Sequence, residues 1–140
     1  MAEGASPPTS IRRTAFCLWV SAFLALLATL LQVTGIVSSV ASPGITLAIG
    51  LLTAGLLALV AAKVNTGRGW ARWLFLVLYV IGVPFAALIF LGAPQTFRAL
   101  PALLQINVVA QSVLQTAAVA FMYTATSRAW FRSARASTAP

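Results

Sequence analysis

Four apolar runs, each cut off by a short polar or basic stretch, set the pattern of this chain: residues 14–37, 45–62, 73–91 and 101–123. Crossing a hydrocarbon core of about 30 Å as a helix takes roughly 20 mostly apolar residues. Each run meets or approaches that length. No stretch alternates apolar and polar positions in the way a spanning barrel strand must. The pattern therefore predicts an all-α protein, an integral membrane four-helix bundle of antiparallel up-down hairpins. Gly82 and Pro84 interrupt the third run. They would break a soluble helix but are tolerated as a kink where neighbouring helices satisfy the freed carbonyls. Pro101 opens the fourth run, a favoured first-turn position because its missing N–H has no helical partner to lose.

The first run could instead be a cleaved leader, with Arg12-Arg13 as its basic region and Ser39-Val40-Ala41 as a small-x-small cleavage site. A leader's apolar region spans roughly 7 to 15 residues. This one is about 22 residues long, which favours an uncleaved anchor helix. The Arg-Arg pair is a poor match to a twin-arginine signal, and Phe16 before Cys17 is too bulky for a lipoprotein site.

Composition agrees: of 140 residues, 61% are hydrophobic and 7% charged, against about 25% charged in soluble domains. The charges fix an orientation, because Lys and Arg favour cytoplasmic connections. Arg12, Arg13, Lys63, Arg68, Arg72, Arg128, Arg132 and Arg135 share one side of the expected topology, and of nine basic residues Arg98 alone falls on the other. Both termini are expected in the cytoplasm of a bacterial inner-membrane protein. Short tails at 1–10 and 133–140 are polar and proline-bearing, with too little apolar area to fold alone.

The basic positions are interleaved with indoles: Arg68, Trp70, Arg72 and Trp73 precede the third run, and Arg128, Trp130 and Arg132 follow the fourth. Trp belongs at headgroup level, and Arg stems lie along the apolar boundary while their heads reach phosphates. These seven residues form a candidate interface for anionic lipids, either as a general anchor or as a site for one headgroup. The net charge of +8 is spread over membrane boundaries rather than a base-reading face, so no nucleic acid is expected.

Reactive side chains are scarce. The chain has no His, a single acidic residue (Glu3) and one cysteine (Cys17), the last expected to be a buried apolar residue. General acid–base catalysis needs a positioned titratable group, and metal sites need several ligands. No catalytic, metal or cofactor site is expected, and proton-coupled exchange would require a carboxylate from a partner.

What is polar at membrane depth is uncharged. Asn107, Gln111 and Gln115 recur at every fourth position, Gln32 is the corresponding amide of the first run, and Tyr79 adds a phenol. Amides are costly against lipid and should face protein. They serve either as interhelical glue, at about 0.6 kcal/mol per bond, or as the lining of a polar path. At about 1.5 Å per residue, Tyr79 and Gln115 lie at equal depth. They are expected to face one another, with Gln111 near the level of Thr53. Small residues at every fourth position, Gly50, Ala54, Ala58 and Ala62, then Ser112, Thr116, Ala120 and Thr124, suit close helix approach.

The segment GRGWARWLFLVLYVIGVP and the terminal SRAWFR resemble small uncharacterised bacterial four-helix inner-membrane proteins, in which a Gly-Arg-x-Trp-Ala-Arg loop precedes an apolar helix. The resemblance covers about the carboxyl-terminal half and implies no assigned activity. The expected role is a non-enzymatic structural, accessory or assembly subunit, with a small transporter or channel subunit as the alternative. Expected partners are the bilayer and its anionic lipids, together with a second copy or another membrane protein.

Topology is directly testable. Reporter fusions after Ala136 and within 65–69 should report a cytoplasmic location, and fusions within 38–44 a periplasmic one. A periplasmic carboxyl terminus would overturn both the span count and the orientation.

Overall fold

The computed structural model describes residues 6–37, 42–92 and 94–136, with side chains throughout except at 83–90 and 133–136. Every regular element among them is helical: α1 (Thr9–Val33), α2 (Pro43–Asn65), α3 (Gly69–Gly92), α4 (Pro94–Ala99), α5 (Ala102–Met122) and α6 (Ala125–Ala136). The expected triplet Ser39-Val40-Ala41, the lone carboxylate Glu3 and the last four residues lie outside the described residues.

Among the described residues, three helices, α1, α2 and α5, are long and apolar enough to cross a membrane. The α3 helix runs for 24 residues without interruption through Gly82 and Pro84. Two short helices occupy places read from sequence as connection and tail. One is α4, within the link between the third and fourth runs; the other is α6, which begins three residues after α5 and extends past the expected tail boundary at 133.

Contacts along the helices make their pairing antiparallel. Early α1 meets late α2 and late α5 in one apolar cluster that contains Ile11, Leu18, Val60, Val64, Ala118 and Met122. Late α1 meets early α5 in a second cluster of Ala28, Val37 and Leu104. The central helix is α1: 39% of its apolar window is buried, against 17% for α2 and 11% for α5. Its buried face is mostly small, with Ala15, Ser21, Ala22, Ala25, Ala28 and Thr29 spaced by threes and fours. Within a bilayer, helices gain little from apolar transfer and associate by close packing, which small side chains permit.

Gly50 marks the closest approach. A Cβ there would overlap the Thr29 side chain of α1. The small-residue stripe expected on α2 holds at Gly50 and Ala54 but not at Ala62, which is exposed. Its buried face continues through Leu57, Val60, Ala61 and Val64 instead. The reason is geometric: with 3.6 residues per turn, an every-fourth stripe rotates by about 40° per step and leaves a straight seam within three steps.

Several hydroxyls along these helices are satisfied within their own turn, although the buried Ser21 hydroxyl of α1 has no partner among the described residues. Thr29 donates to the Ala25 carbonyl at 2.7 Å, Thr53 to Ile49 at 2.8 Å, Ser112 to Val108 at 2.9 Å and Thr116 to Ser112 at 2.7 Å. Such back-bonding hides a polar group without a second helix.

Between α2 and α3 the chain reverses in a Schellman motif. Gly67, at φ 73°, donates to the Val64 carbonyl, and the Arg68 N–H reaches Lys63. A left-handed residue at this position is tolerated by glycine because no Cβ meets the carbonyl. This turn sets the first residues of α3 against the end of α2, with Ala71 and Phe75 in the main cluster.

Gly50→Ala should therefore destabilise the α1–α2 pair by about 1 to 3 kcal/mol, the usual cost of overpacking. Thr29→Ala in the same chain should restore part of it. Denaturant titration in detergent measures both, and an unchanged Gly50→Ala midpoint would place the helix contact elsewhere.

Candidate functional site

One end of the molecule gathers most of its basic side chains. The amino-terminal turn of α1, the α2–α3 reversal and the α5–α6 corner meet there, since Ile11, Val64, Ala71, Met122 and Phe131 share one cluster. A hydroxyl network closes the corner. Ser10 and Ser127 lie 2.8 Å apart across the chain, Thr124 donates to Ser127 at 2.9 Å, and Ser127 donates to the Phe121 carbonyl at 2.8 Å. Thr14 sits below, its hydroxyl 3.0 Å from the Ser10 carbonyl and 3.4 Å from that of Ala118. Ser127 is fully buried.

The α6 helix is thereby pinned over the bundle end. Ser127 and Phe131, one turn apart, point inward, and Phe131 is 3% exposed. Arg128 and Arg132 occupy the adjacent, solvent-facing positions. From α3, Arg72 reaches across to this helix. Its guanidinium carbon stands 5.2 Å from the centroid of the Tyr123 ring and 5.4 Å from that of Phe131. Ring faces attract a cation through their quadrupole, here worth about 0.5 to 2 kcal/mol according to desolvation. Arg72 Nε is buried with no hydrogen-bond partner. Arg13 makes a similar approach to Phe121 at 5.9 Å.

Arg72, Arg128 and Arg132 line one pocket of about 270 Å³. Of the seven residues expected at the interface, these three come together. Arg68 lies outside the pocket, exposed in the turn before α3. Trp70 and Trp73 are 45% and 57% exposed on the α3 flank, and Trp130 packs half-buried beside the main cluster.

The amide stripe has a different setting. Between α2, α3 and α5 lies a cavity of about 320 Å³, lined on its polar side by Thr53, Tyr79, Gln111, Ser112 and Gln115 and on its apolar side by residues including Leu57, Phe75 and Leu78. Tyr79 and Gln115 share this cavity, but the phenol pairs with Thr116, one residue further on, at 3.1 Å. Gln111 reaches Asn107 at 3.4 Å, along its own helix. The Gln115 carboxamide has no hydrogen-bond partner among the described residues. Gln32 is not part of this group; it donates to the Ala28 carbonyl at 3.1 Å near the far end of α1. Cys17 is buried in the main cluster.

Sequence reasoning gave Ser10, Ser127 and Phe131 no part in the site and placed Thr124 in the small-residue stripe, not in this corner. The usable signal was the spacing within 125–136, where Ser127, Trp130 and Phe131 repeat at helical intervals and Arg128 and Arg132 fall beside them.

Removing the Phe131 plug should release α6 without unfolding the bundle. In Phe131→Ala, backbone hydrogen exchange over 125–136 should accelerate at least about tenfold, while α1 and α2 stay protected. Ser127→Ala should produce a smaller change of the same kind, about 1 kcal/mol. Unchanged exchange in both would mean that α6 is held by other contacts.

Comparison of the chain with protein-family models, with curated proteins and with solved structures returned no match, so the chemistry of both sites is argued from their own geometry.

Proposed function

We propose that this chain is a non-enzymatic multi-pass protein of the bacterial inner membrane, an accessory or assembly subunit with four spans and both termini cytoplasmic. The 24-residue α3 supports a fourth span. The gathering of Arg12, Arg13, Arg72, Arg128 and Arg132 around one end supports the orientation, because cationic connections are retained in the cytoplasm. The non-enzymatic reading rests on a side-chain inventory without His and with one carboxylate.

The observation that carries the accessory role is the outer face of α5. Val113, Ala117 and Ala120 line a shallow groove there, with Ser112 and Thr116 at its edge toward α3. A groove of small residues suits the backbone of a helix from another membrane protein.

A second reading, a small transporter or channel subunit, draws support from the cavity beside Gln111 and Gln115. A carboxamide unpaired among the described residues at membrane depth is costly and calls for a polar partner or occupant.

One experiment separates the two. In a Cys17→Ser background, Val113→Cys or Ala117→Cys should crosslink to another membrane polypeptide in native membranes, whereas Ile49→Cys on α2 should not. Absence of such adducts, combined with solute flux in liposomes that Gln115→Leu abolishes, would replace the accessory reading with the transport one.

A further inference from the structure

We infer that Arg72, Arg128 and Arg132 form a discrete binding site for a phosphomonoester or diphosphate group. The inference rests on the proposed orientation only for the source of that group, since the pocket itself is defined by side chains.

The side chains of Arg72, Arg128 and Arg132 line about 270 Å³, and like charges gathered at one pocket favour an anion among them. The chain cannot supply enough negative charge. It holds nine basic side chains against one acidic one, so side-chain carboxylates can neutralise at most one guanidinium of the three. Arg128 and Arg132 are exposed, but the backbone that carries them is held against the bundle. Arg72 is set between the Tyr123 and Phe131 rings, and Arg128 and Arg132 stand one turn apart on a helix anchored by Ser127 and Phe131. With Arg72 Nε buried, a ligand meets that side chain through its two terminal nitrogens. Arginine forks match phosphate oxygens bidentately.

Charge selects among phosphates. A phosphodiester carries one negative charge, whereas a phosphomonoester carries about 1.5 to 2 at neutral pH. Three cations favour the second or a diphosphate. The group could belong to a lipid headgroup or to a soluble molecule. Trp70 and Trp73, exposed on the adjoining face of α3, suit the headgroup level of a bilayer.

The full-length protein in neutral detergent is titrated with phosphatidic acid, with phosphatidylglycerol and with inorganic pyrophosphate, and bound mass is read by native mass spectrometry. Phosphatidic acid or pyrophosphate should bind at one copy per chain and outcompete phosphatidylglycerol. Arg128→Gln and Arg132→Gln should each weaken that binding roughly tenfold or more, while Arg68→Gln should leave it within about twofold. Helix content by circular dichroism should be unchanged in all three. Arg72→Lys, which keeps charge but loses the stacked fork, should weaken it too. Binding of phosphatidic acid alone assigns the site to a lipid, and binding of pyrophosphate as well assigns it to the phosphate group whatever its carrier. No saturable binding of either, or an equal loss in Arg68→Gln, overturns the site. Because these measurements use no bilayer, they stand apart from the orientation, which fails on its own if carboxyl-terminal fusions report a periplasmic location.

Discussion

The close approach of α1 to its two neighbours is the contact on which everything else depends. Its face of alanine, serine and threonine lies against α2 on one side and α5 on the other, with Gly50 admitting Thr29. Lipid tails are as apolar as leucine, so no transfer energy draws these helices together. What favours association is the density of van der Waals contact that small side chains allow, and that contact is lost quickly with distance. The remaining helices are arranged around this three-helix centre. The α3 helix joins it chiefly through Ala71 and Phe75, and α6 through Ser127 and Phe131.

Charge imbalance shapes the end where these attachments lie. With one carboxylate in the chain, ion pairs cannot order the arginines. Aromatic faces do so instead: Phe121 for Arg13, and Tyr123 with Phe131 for Arg72. A ring fixes the direction of a guanidinium without neutralising it, and a cation held in place but uncompensated retains its full attraction for an outside anion. The same residues thus serve both packing and recognition. Phe131 packs into the main cluster while Arg72 lies over its ring.

Polar groups at depth divide into two kinds. Thr29, Thr53, Ser112 and Thr116 return their protons to carbonyls in their own helix, and the Thr116 oxygen is left to accept from Tyr79. The carboxamides have too many donors and acceptors for that solution. Gln111 uses one N–H on Asn107, and Gln115 is left facing the space between α2, α3 and α5. This separation leaves hydrogen-bonding capacity facing the cavity between α2, α3 and α5.

Helical class and the positions of the long apolar helices were legible from sequence because run length against bilayer thickness is a one-dimensional property. The second run, read as 45–62, came within three residues of α2 at each end, whereas the left-handed stop at Gly67 was not read from sequence. Three of the seven interface residues, Arg72, Arg128 and Arg132, could be named from the basic aromatic pattern, but their separation from Arg68 could not. That depends on α6, a 12-residue helix too short to be stable alone, which exists because Phe131 and Ser127 find partners contributed by α1, α3 and α5. The seam was equally hidden. Alanines fall on several faces of α1 and α2, so composition permits many close approaches, and which one forms is decided by where Gly50 meets Thr29. Tyr79 and Gln115 were correctly judged level from residue counting, yet the phenol bonds Thr116, because depth follows from rise per residue whereas partner choice follows from rotation about the helix axis, which only the packed neighbours determine.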